Sequence, residues 1–194
     1  MTTPATAARD RSGAVTDEQR LRGVTRRLPT GVAVLTARDG DAAHGATVST
    51  VSVLTQRPLR IGASLRRGSY LATLIRRCDA FAVNVLSSGQ SAVADWFANP
   101  ERPRGLRQFA YVPWAAHPTG GMPILGDALA HFTCRPADLL PLGASDDLLV
   151  ADVVEGQGRT GRPLLNFGGD LYDIELRDVL RVRRDGPSTV TSLE

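Results

Sequence analysis

The sequence predicts a mainly β protein with flanking helices, in which antiparallel strands close into a barrel. At least six segments have the β-branched, apolar composition of strands, and the helical segments between them are short. A parallel sheet would need a crossover helix after each strand, and most of those helices are missing. These two observations favour a barrel over a doubly wound sheet.

The first helix is expected to begin at Thr16, where the sequence TDEQ has the pattern of a capping box. Apolar residues then recur at spacings of three and four up to Pro29. They are Leu21, Val24 and Leu28. This spacing predicts an amphipathic helix that packs one face inward.

The strands are expected to begin with a β-hairpin. Residues 30–38 are mostly apolar or β-branched, Asp39 and Gly40 have the composition of a tight turn, and residues 44–53 supply the second strand. The elements expected after the hairpin are, in chain order, a strand at 58–65, a short helix at 70–77 started by Ser69, a buried strand at 79–86, a helix at 88–98, and strands at 128–140, 147–156 and 163–169.

Residues 99–126 carry Pro and Gly repeatedly, which predicts a long irregular excursion within one domain rather than a linker. An excursion of this length usually has a functional use. Four aromatic residues near it have the shape to stack on a planar ring, although we favour two of them in the core and two as surface cover. They are Trp96, Phe97, Phe109 and Trp114.

A length of 194 residues fits one domain, expected at 16–180, between a disordered arm at 1–15 and a tail at 181–194. All 23 basic residues are Arg and lie scattered among 20 acidic ones, which argues against a nucleic-acid-binding face. No run approaches the roughly 20 apolar residues that span a bilayer, and the N-terminus lacks the apolar stretch of a signal peptide. We therefore expect a cytoplasmic protein without membrane association.

The cysteines and histidines predict neither a disulfide framework nor a metal site. Cys78 and Cys134 lie far apart and form no CxxC pattern, which is typical of a protein in a reducing compartment. The histidines lack the spacing that would place two of them on one helical face, so no bound metal is expected. They are His44, His117 and His131.

Small hydroxyl side chains crowd the end of the second expected strand, and two arginines follow the third. Such hydroxyls at a strand end, together with an Arg fork, are suited to binding phosphate. The competing interpretation places the hydroxyls on the solvent face of a strand, where Thr is favoured in any case. The residues concerned are Thr47, Ser49, Thr50, Ser52, Arg66, Arg67 and Ser69.

Known phosphate-binding and nucleophile motifs are missing. The chain has no GxGxxG fingerprint between a strand and a helix, no P-loop and no GxSxG elbow. Asp146 and Asp147 are adjacent, and neighbours on a strand point to opposite faces, so they are not suited to sharing a proton. We expect the two carboxylates to lie in a solvated turn.

Five segments, taken in order, resemble the flavin reductase-like family of FMN-binding split-barrel proteins, the small components of two-component flavin monooxygenases. The resemblance covers about residues 20 to 170. The segments are LPTGVAVLTA, HGATVSTVSVLTQRPLRIGASLRRGS, CDAFAVNVLSSGQ, TGGMPILGDALAHFTCR and GRPLLNFGG.

This resemblance implies an antiparallel split barrel that forms a homodimer with the flavin at or near the subunit interface. The implied cofactor is FMN, with FAD possible, and NADH or NADPH is the implied co-substrate. A flavin-dependent monooxygenase is the implied partner for the reduced flavin. No catalytic residue is carried over, and Asn84 is expected to be structural.

The resemblance also implies which residues bind the cofactor. The isoalloxazine segment is Pro29, Thr30 and Gly31; the segment that cradles flavin and phosphate is Thr47, Val48, Ser49 and Thr50; and the second phosphate-side loop supplies Ser64, Arg66, Arg67, Ser69 and Thr73.

One departure from the family keeps two functions open. Relatives commonly carry a Gly-Asp-His segment associated with nicotinamide turnover, whereas this chain reads PLGASDDLLV at 141–150, without a His. The first function is an NAD(P)H:flavin oxidoreductase. The second is a divergent split-barrel protein that binds flavin without efficient nicotinamide turnover, as a carrier, a partner subunit or a natural-product tailoring enzyme.

Overall fold

The computed structural model describes residues 11–175 and residue 177, and it is mainly β, as the sequence predicts. Three α-helices lie within the described residues: α1 (Arg11–Thr25), α2 (Tyr70–Ile75) and α3 (Ser91–Ala98). The strands are β1 (Thr30–Gly31), β2 (Ala33–Asp39), β3 (Ala42–Val48), β4 (Ser52–Gln56), β5 (Leu59–Arg66), β6 (Phe81–Val85), β7 (Trp114–Ala116), β8 (Pro123–Leu125), β9 (Ala130–Leu142), β10 (Asp146–Gly158), β11 (Leu164–Phe167) and β12 (Asp170–Asp173).

The central sheet has seven antiparallel strands in the order β3-β2-β6-β9-β10-β5-β4. Its two edge strands, β3 and β4, are consecutive in the chain and are separated only by residues 49–51. An extended residue spans at most about 3.6 Å, so the end of β3 and the start of β4 lie within about 15 Å of each other. The sheet must therefore curl until its edges nearly meet, which is the split barrel that the resemblance implies.

Alternation along β2 divides the core into two clusters. Ala33, Leu35 and Ala37 face the cluster inside the barrel, together with residues of α2, whereas Val32 and Val34 face the second cluster. That second cluster lies under α3 and the excursion, and its largest buried side chains are Phe97, Phe109, Leu86 and Leu164. Because successive side chains of a strand point to opposite faces, β2 has one packed layer on each face.

Several expected elements are confirmed. The hairpin of β2 and β3 turns at Gly40, which has a φ of +59°. The Ser69 hydroxyl accepts a hydrogen bond from the Ala72 backbone N–H at 3.2 Å and so caps α2. Strand β6 is buried, as expected. The second expected strand, by contrast, is interrupted: β3 ends at Val48, and the chain breaks at residues 49–51 before β4.

The first helix differs from the prediction in two respects. Within the described residues it runs from Arg11 to Thr25, so Thr16 lies inside the helix and the expected capping box is not its start. A helix gains one hydrogen bond with each residue added, and residues 11–15 contain no proline that would interrupt it. The apolar stripe also faces solvent, since Leu21, Val24 and Leu28 are 54%, 60% and 71% exposed. Residues 1–10 of the expected arm and the tail at 181–194 lie outside the described residues.

The excursion at 99–126 is held against the sheet by buried amide side chains. The Gln108 side chain accepts a hydrogen bond from the Gly45 N–H at 2.9 Å and donates to the Ala43 carbonyl at 3.0 Å. These two backbone groups lie on the outer edge of β3, so the amide takes the place of a neighbouring strand. A Cβ at Gly45 would lie 2.8 Å from the Phe97 ring, so only Gly fits this edge.

Asn84 anchors the second half of the excursion, which confirms its expected structural role. It is fully buried on β6, its Oδ1 accepts from the Leu125 N–H at 2.8 Å, and its Nδ2 donates to the Val34 carbonyl and the Thr36 hydroxyl, each at 3.1 Å. The excursion forms a small hairpin of β7 and β8 there. Within the described residues, no helix combines the length and apolar character that crossing a bilayer requires.

Replacing Gln108 with Ala should lower the free energy of unfolding by about 2 to 4 kcal/mol, because it leaves the Gly45 N–H and the Ala43 carbonyl without partners. Urea unfolding followed by circular dichroism measures this change. The control is Gln157→Ala, an exposed position on β10, which should stay within about 0.5 kcal/mol of the parent protein. Equal stability of the two variants would contradict the anchoring role.

Candidate functional site

The larger candidate site is a cavity of about 660 Å³ between the barrel edge and the excursion. One wall comes from β3 with His44, Thr47 and Val48, and another comes from the end of β5 and the start of α2. The excursion supplies the third wall through Pro100 and its arginines. Leu65, Leu71, Phe97 and Ala98 contribute apolar surface. The cavity therefore has both an apolar lining and a polar rim, which suits an aromatic ligand with an anionic tail.

The charge of the larger cavity is entirely positive. Arg66, Arg102 and Arg104 line it, and no Asp or Glu is among the described residues that do so. Burial, followed by the charges of Arg102 and Arg104, lowers the pKa of His44 to about 4, so this imidazole is neutral at pH 7. Such a cavity attracts anions.

A smaller cavity of about 260 Å³ lies on the other side of the break between β3 and β4. Thr30 of β1, Ser49 and Thr50 of the break, and Asn166 of β11 line it. Leu28, which follows α1, contributes an apolar border. Neighbouring residues thus line different cavities: Thr47 and Val48 at the end of β3 line the larger one, and Ser49 and Thr50 of the break line the smaller one.

Each cavity contains a residue with an unpaired buried polar atom. Within the described residues, Thr30 Oγ1 and His44 Nδ1 are the two buried side-chain atoms of this kind. Arg102 Nη2 lies 3.1 Å from His44 Nε2 and is always a donor, so Nε2 accepts and the proton is assigned to Nδ1. Buried polar groups are almost always hydrogen-bonded, so the wall of each cavity holds one polar atom whose partner, a water molecule or a ligand group, is not part of the chain.

Half of the hydroxyl cluster is committed to the fold. Thr47 donates to the Ala94 carbonyl at 2.6 Å and ties β3 to α3. Thr50 accepts from the Ser64 N–H at 3.0 Å and continues the pairing with β5 where the backbone has turned away. Ser49 belongs to the same cluster, and Ser64 lies on β5. Within the described residues, the hydroxyls of these two serines make no hydrogen bond, so both are available to a ligand.

The two neighbouring arginines have different roles. Arg67 donates to Asp147 Oδ1 at 2.8 Å and to carbonyls of the 143–146 turn, and it does not line either cavity. Arg66 lines the larger cavity, and its guanidinium has no partner among the described residues. Arg66 therefore has its donors free at the larger cavity, whereas Arg67 holds the turn.

Asp147 corrects the expectation of a solvated turn. Its side chain is 4% exposed and lies between Arg67 and Arg76, whose nearest nitrogens are at 2.8 and 3.2 Å. A buried carboxylate needs such partners, because removing it from water unpaired is costly. Asp146 points to the other face and accepts from the Ser145 hydroxyl at 2.8 Å.

The remaining expected site residues lie at the edges of the two cavities or just outside them. Thr73 is exposed on α2, donates to the Ser69 carbonyl at 3.0 Å and does not line either cavity. Ser69 lines the larger cavity, although its hydroxyl already caps α2. Pro29 and Gly31 flank Thr30, which pairs with Asn166 on β11, and they place its hydroxyl at the smaller cavity.

Sequence reasoning missed the residues of the excursion wall and the aromatic rim. His44, Tyr70, Arg102 and Arg104 line the cavity, and the His44 and Tyr70 rings meet edge to face at 5.1 Å. Nothing local in the Pro-rich stretch indicates that it folds back over β3. Of the four aromatic residues considered, Phe97 and Phe109 are buried and Trp96 and Trp114 are half-buried, and Phe97 also reaches the cavity.

Neither cysteine lines the two candidate cavities, although Cys78 lines a separate one of about 690 Å³ together with Arg76 and Arg135. Burial raises the pKa of Cys78 to about 11, and burial together with the charge of Asp152 raises that of Cys134 to about 12. Both thiols stay protonated at neutral pH, and the thiolate is the nucleophilic form. Neither cysteine is therefore suited to covalent chemistry.

Comparisons with known proteins agree with this geometry. A family model described as a flavin reductase like domain matches residues 25–175. The chain is 70% identical over 195 residues to a Streptomyces viridifaciens protein named NADPH-flavin oxidoreductase, covering 99% of this chain and 100% of the relative. It is 35% identical to the reductase component of a Rhodococcus opacus 4-nitrophenol 4-monooxygenase/4-nitrocatechol 2-monooxygenase, covering 79% of each chain.

A solved structure shows the same architecture. BorF, the flavin reductase component of a bacterial two-component tryptophan halogenase, has a TM-score of 0.76 at 27% identity, covering 83% of this chain and 100% of BorF. The family model spans most of the described residues, and the S. viridifaciens relative matches over nearly the whole length. This chain therefore belongs to the flavin reductase-like family.

Proposed function

We propose that this protein is an NAD(P)H-dependent flavin reductase that reduces FMN or FAD and supplies the reduced flavin to a partner monooxygenase. The observation that carries this proposal is the larger cavity, which combines an apolar lining with a wholly positive charge and an unpaired Arg66. The S. viridifaciens relative, named for NADPH and flavin, supports the reaction. Relatives named as reductase components of monooxygenases support the partner.

The residues present fit a flavin whose phosphate lies in the larger cavity and whose ring lies toward the smaller one. Arg66 and the Ser64 hydroxyl are the free donors for the phosphate, and charge-assisted hydrogen bonds from Arg to phosphate are strong. The Ser49 hydroxyl is the free donor at the ring end. Thr30 also lines that end, with its hydroxyl oxygen buried and unpaired. Val48, which lines the larger cavity, directly precedes Ser49, which lines the smaller one.

Bound flavin supplies a hydride-accepting N5 atom, so the protein needs to contribute position and polarity rather than an acid or a base. Leu65, Leu71 and Phe97 exclude water from the larger cavity. Arg66 and Arg104 hold positive charge at its rim, which favours anionic groups there. The neutral His44 adds a donor without adding charge.

The protein is also proposed to be a homodimer, because one copy leaves the smaller cavity open. Thr25, Arg26 and Leu28, at the end of α1 and just after it, border that cavity. The apolar stripe of α1 is exposed, and the whole of edge strand β4 is exposed as well, including Val53 and Leu54. A second copy that covers these apolar surfaces would also close the ring end of the site.

Anaerobic mixing of the purified protein with FMN or FAD and NADPH or NADH tests the reaction. Loss of flavin absorbance near 450 nm far above the protein-free rate is expected. Tight flavin binding without this bleaching would support the alternative, a flavin-binding protein without efficient nicotinamide turnover, which the missing His at 141–150 keeps open.

Replacing Arg66 or Ser49 with Ala should weaken flavin binding by about 1 to 3 kcal/mol, the range for a lost hydrogen bond to a charged or buried group. Quenching of flavin fluorescence on titration with protein measures the affinity. Arg107→Ala is the matched control for charge, since Arg107 is exposed and does not line either cavity. Unchanged affinity in both site variants would remove this placement of the flavin.

Replacing Leu21 and Val24 together with Asp should shift the protein from dimer to monomer, because charges then replace the apolar stripe of α1. Size-exclusion chromatography with light scattering measures the mass directly. Gln19→Asp places a charge on the opposite side of the same helix and should leave the dimer intact. A monomeric parent protein, or a double variant that remains dimeric, would contradict the use of this surface.

A further inference from the structure

The three arginines of the larger cavity differ in what holds them. Arg102 donates to His44 Nε2 and to the Gly45 carbonyl, and its guanidinium lies 5.7 Å from the centre of the Phe97 ring. It therefore fastens the excursion to β3. Within the described residues, the guanidiniums of Arg66 and Arg104 make no hydrogen bond or ion pair. Two cations thus face the cavity with their donors free.

The two free arginines belong to different walls. Arg66 ends β5, beside the free Ser64 hydroxyl. Arg104 lies on the excursion, directly before the 3₁₀ turn Gly105–Phe109. The fully buried Gln108 amide holds that turn by donating to the Gly105 carbonyl at 2.8 Å. The backbone on both sides of Arg104 is consequently anchored, by Arg102 on one side and by Gln108 on the other.

Arg104 is also close enough to influence the cavity electrostatically. Its charge contributes to the lowered pKa of His44, after burial and Arg102. No carboxylate among the described lining residues offsets these cations. The FMN phosphate would be bound by Arg66 with Ser64. FAD carries a second phosphate, so only an unchanged Kd for FAD as well as for FMN assigns Arg104 to the nicotinamide nucleotide. The second free guanidinium is suited to binding a second anionic group. A nicotinamide dinucleotide carries such groups in its pyrophosphate and, in NADPH, also in its 2′-phosphate.

We propose that Arg104 binds a phosphate group of the nicotinamide co-substrate, while Arg66 serves the flavin. This inference rests on the proposed function and adds a residue that sets the affinity for the second nucleotide. Arg66 then binds the flavin phosphate and Arg104 binds a phosphate of the nicotinamide co-substrate, each from a different wall of the same cavity. The excursion therefore supplies the residue that recognises the electron donor.

The test compares Arg104→Ala and Arg104→Lys with the parent protein and with Arg107→Ala, a control on the same 3₁₀ turn that does not line the cavity. Three quantities are measured: the KM for NADPH and for NADH, the Kd of the flavin-loaded protein for NADP⁺ by calorimetry, and the Kd for flavin. Arg104→Ala is expected to raise the KM for NADPH and the Kd for NADP⁺ roughly tenfold or more, with the flavin Kd unchanged. Arg104→Lys should recover part of the loss, because it keeps the charge without the guanidinium fork.

The pattern across co-substrates identifies the phosphate. A loss confined to NADPH assigns Arg104 to the 2′-phosphate, and an equal loss for NADPH and NADH assigns it to the pyrophosphate. Unchanged NADP⁺ binding in Arg104→Ala, or a flavin Kd weakened as much as in Arg66→Ala, would overturn the proposal.

Calorimetry with NADP⁺ requires no turnover, so the test separates this inference from the proposed function. A parent protein that binds flavin and NADP⁺ but does not bleach flavin would contradict the reductase activity and leave the role of Arg104 measurable. A parent protein that turns over NADPH while Arg104→Ala matches it would contradict the role of Arg104 alone.

Discussion

The site depends on the bond between one buried amide and the free edge of a strand. Edge strand β3 exposes a backbone donor and acceptor, and the Gln108 side chain satisfies both. The excursion does not pair with the central sheet as a strand, so a few side chains determine its position. Without Gln108 and Arg102, the excursion would not form a third wall, and the positive cavity would be an open groove beside β3. Asn84 performs the same task for the far end of the excursion by bonding to Leu125.

The hydroxyl side chains crowded at the end of β3 do not all have the same role. Thr50 continues the pairing of β4 with β5 where the chain breaks, and Thr47 ties the end of β3 to α3. Ser49 and Ser64 carry the same chemical group without such a hydrogen bond among the described residues. The hydroxyls around the break between β3 and β4 therefore form two pairs, one used by the fold and one free.

Elements with a local cause were predictable from the sequence. The Asp39-Gly40 turn, the Ser69 cap and the buried strand around Val83 depend on neighbouring residues, and each forms as expected. Features that depend on distant residues were not predictable. Asp147 is buried and paired with Arg67 and Arg76, which lie far from it in the sequence, and no pattern near Asp147 indicates this. His44 and Arg104 become neighbours only when the excursion folds back. The apolar residues of α1 have helical periodicity, but this periodicity does not show whether they pack against the same chain or against another one.

The raised pKa values of the two thiols have a consequence for a protein that handles reduced flavin. Free reduced flavin reacts with dioxygen and yields hydrogen peroxide, which oxidises thiolates far faster than protonated thiols. Cys78 and Cys134 have raised pKa values and do not line either candidate cavity. Leaked peroxide would therefore meet protonated thiols rather than thiolates at these two positions.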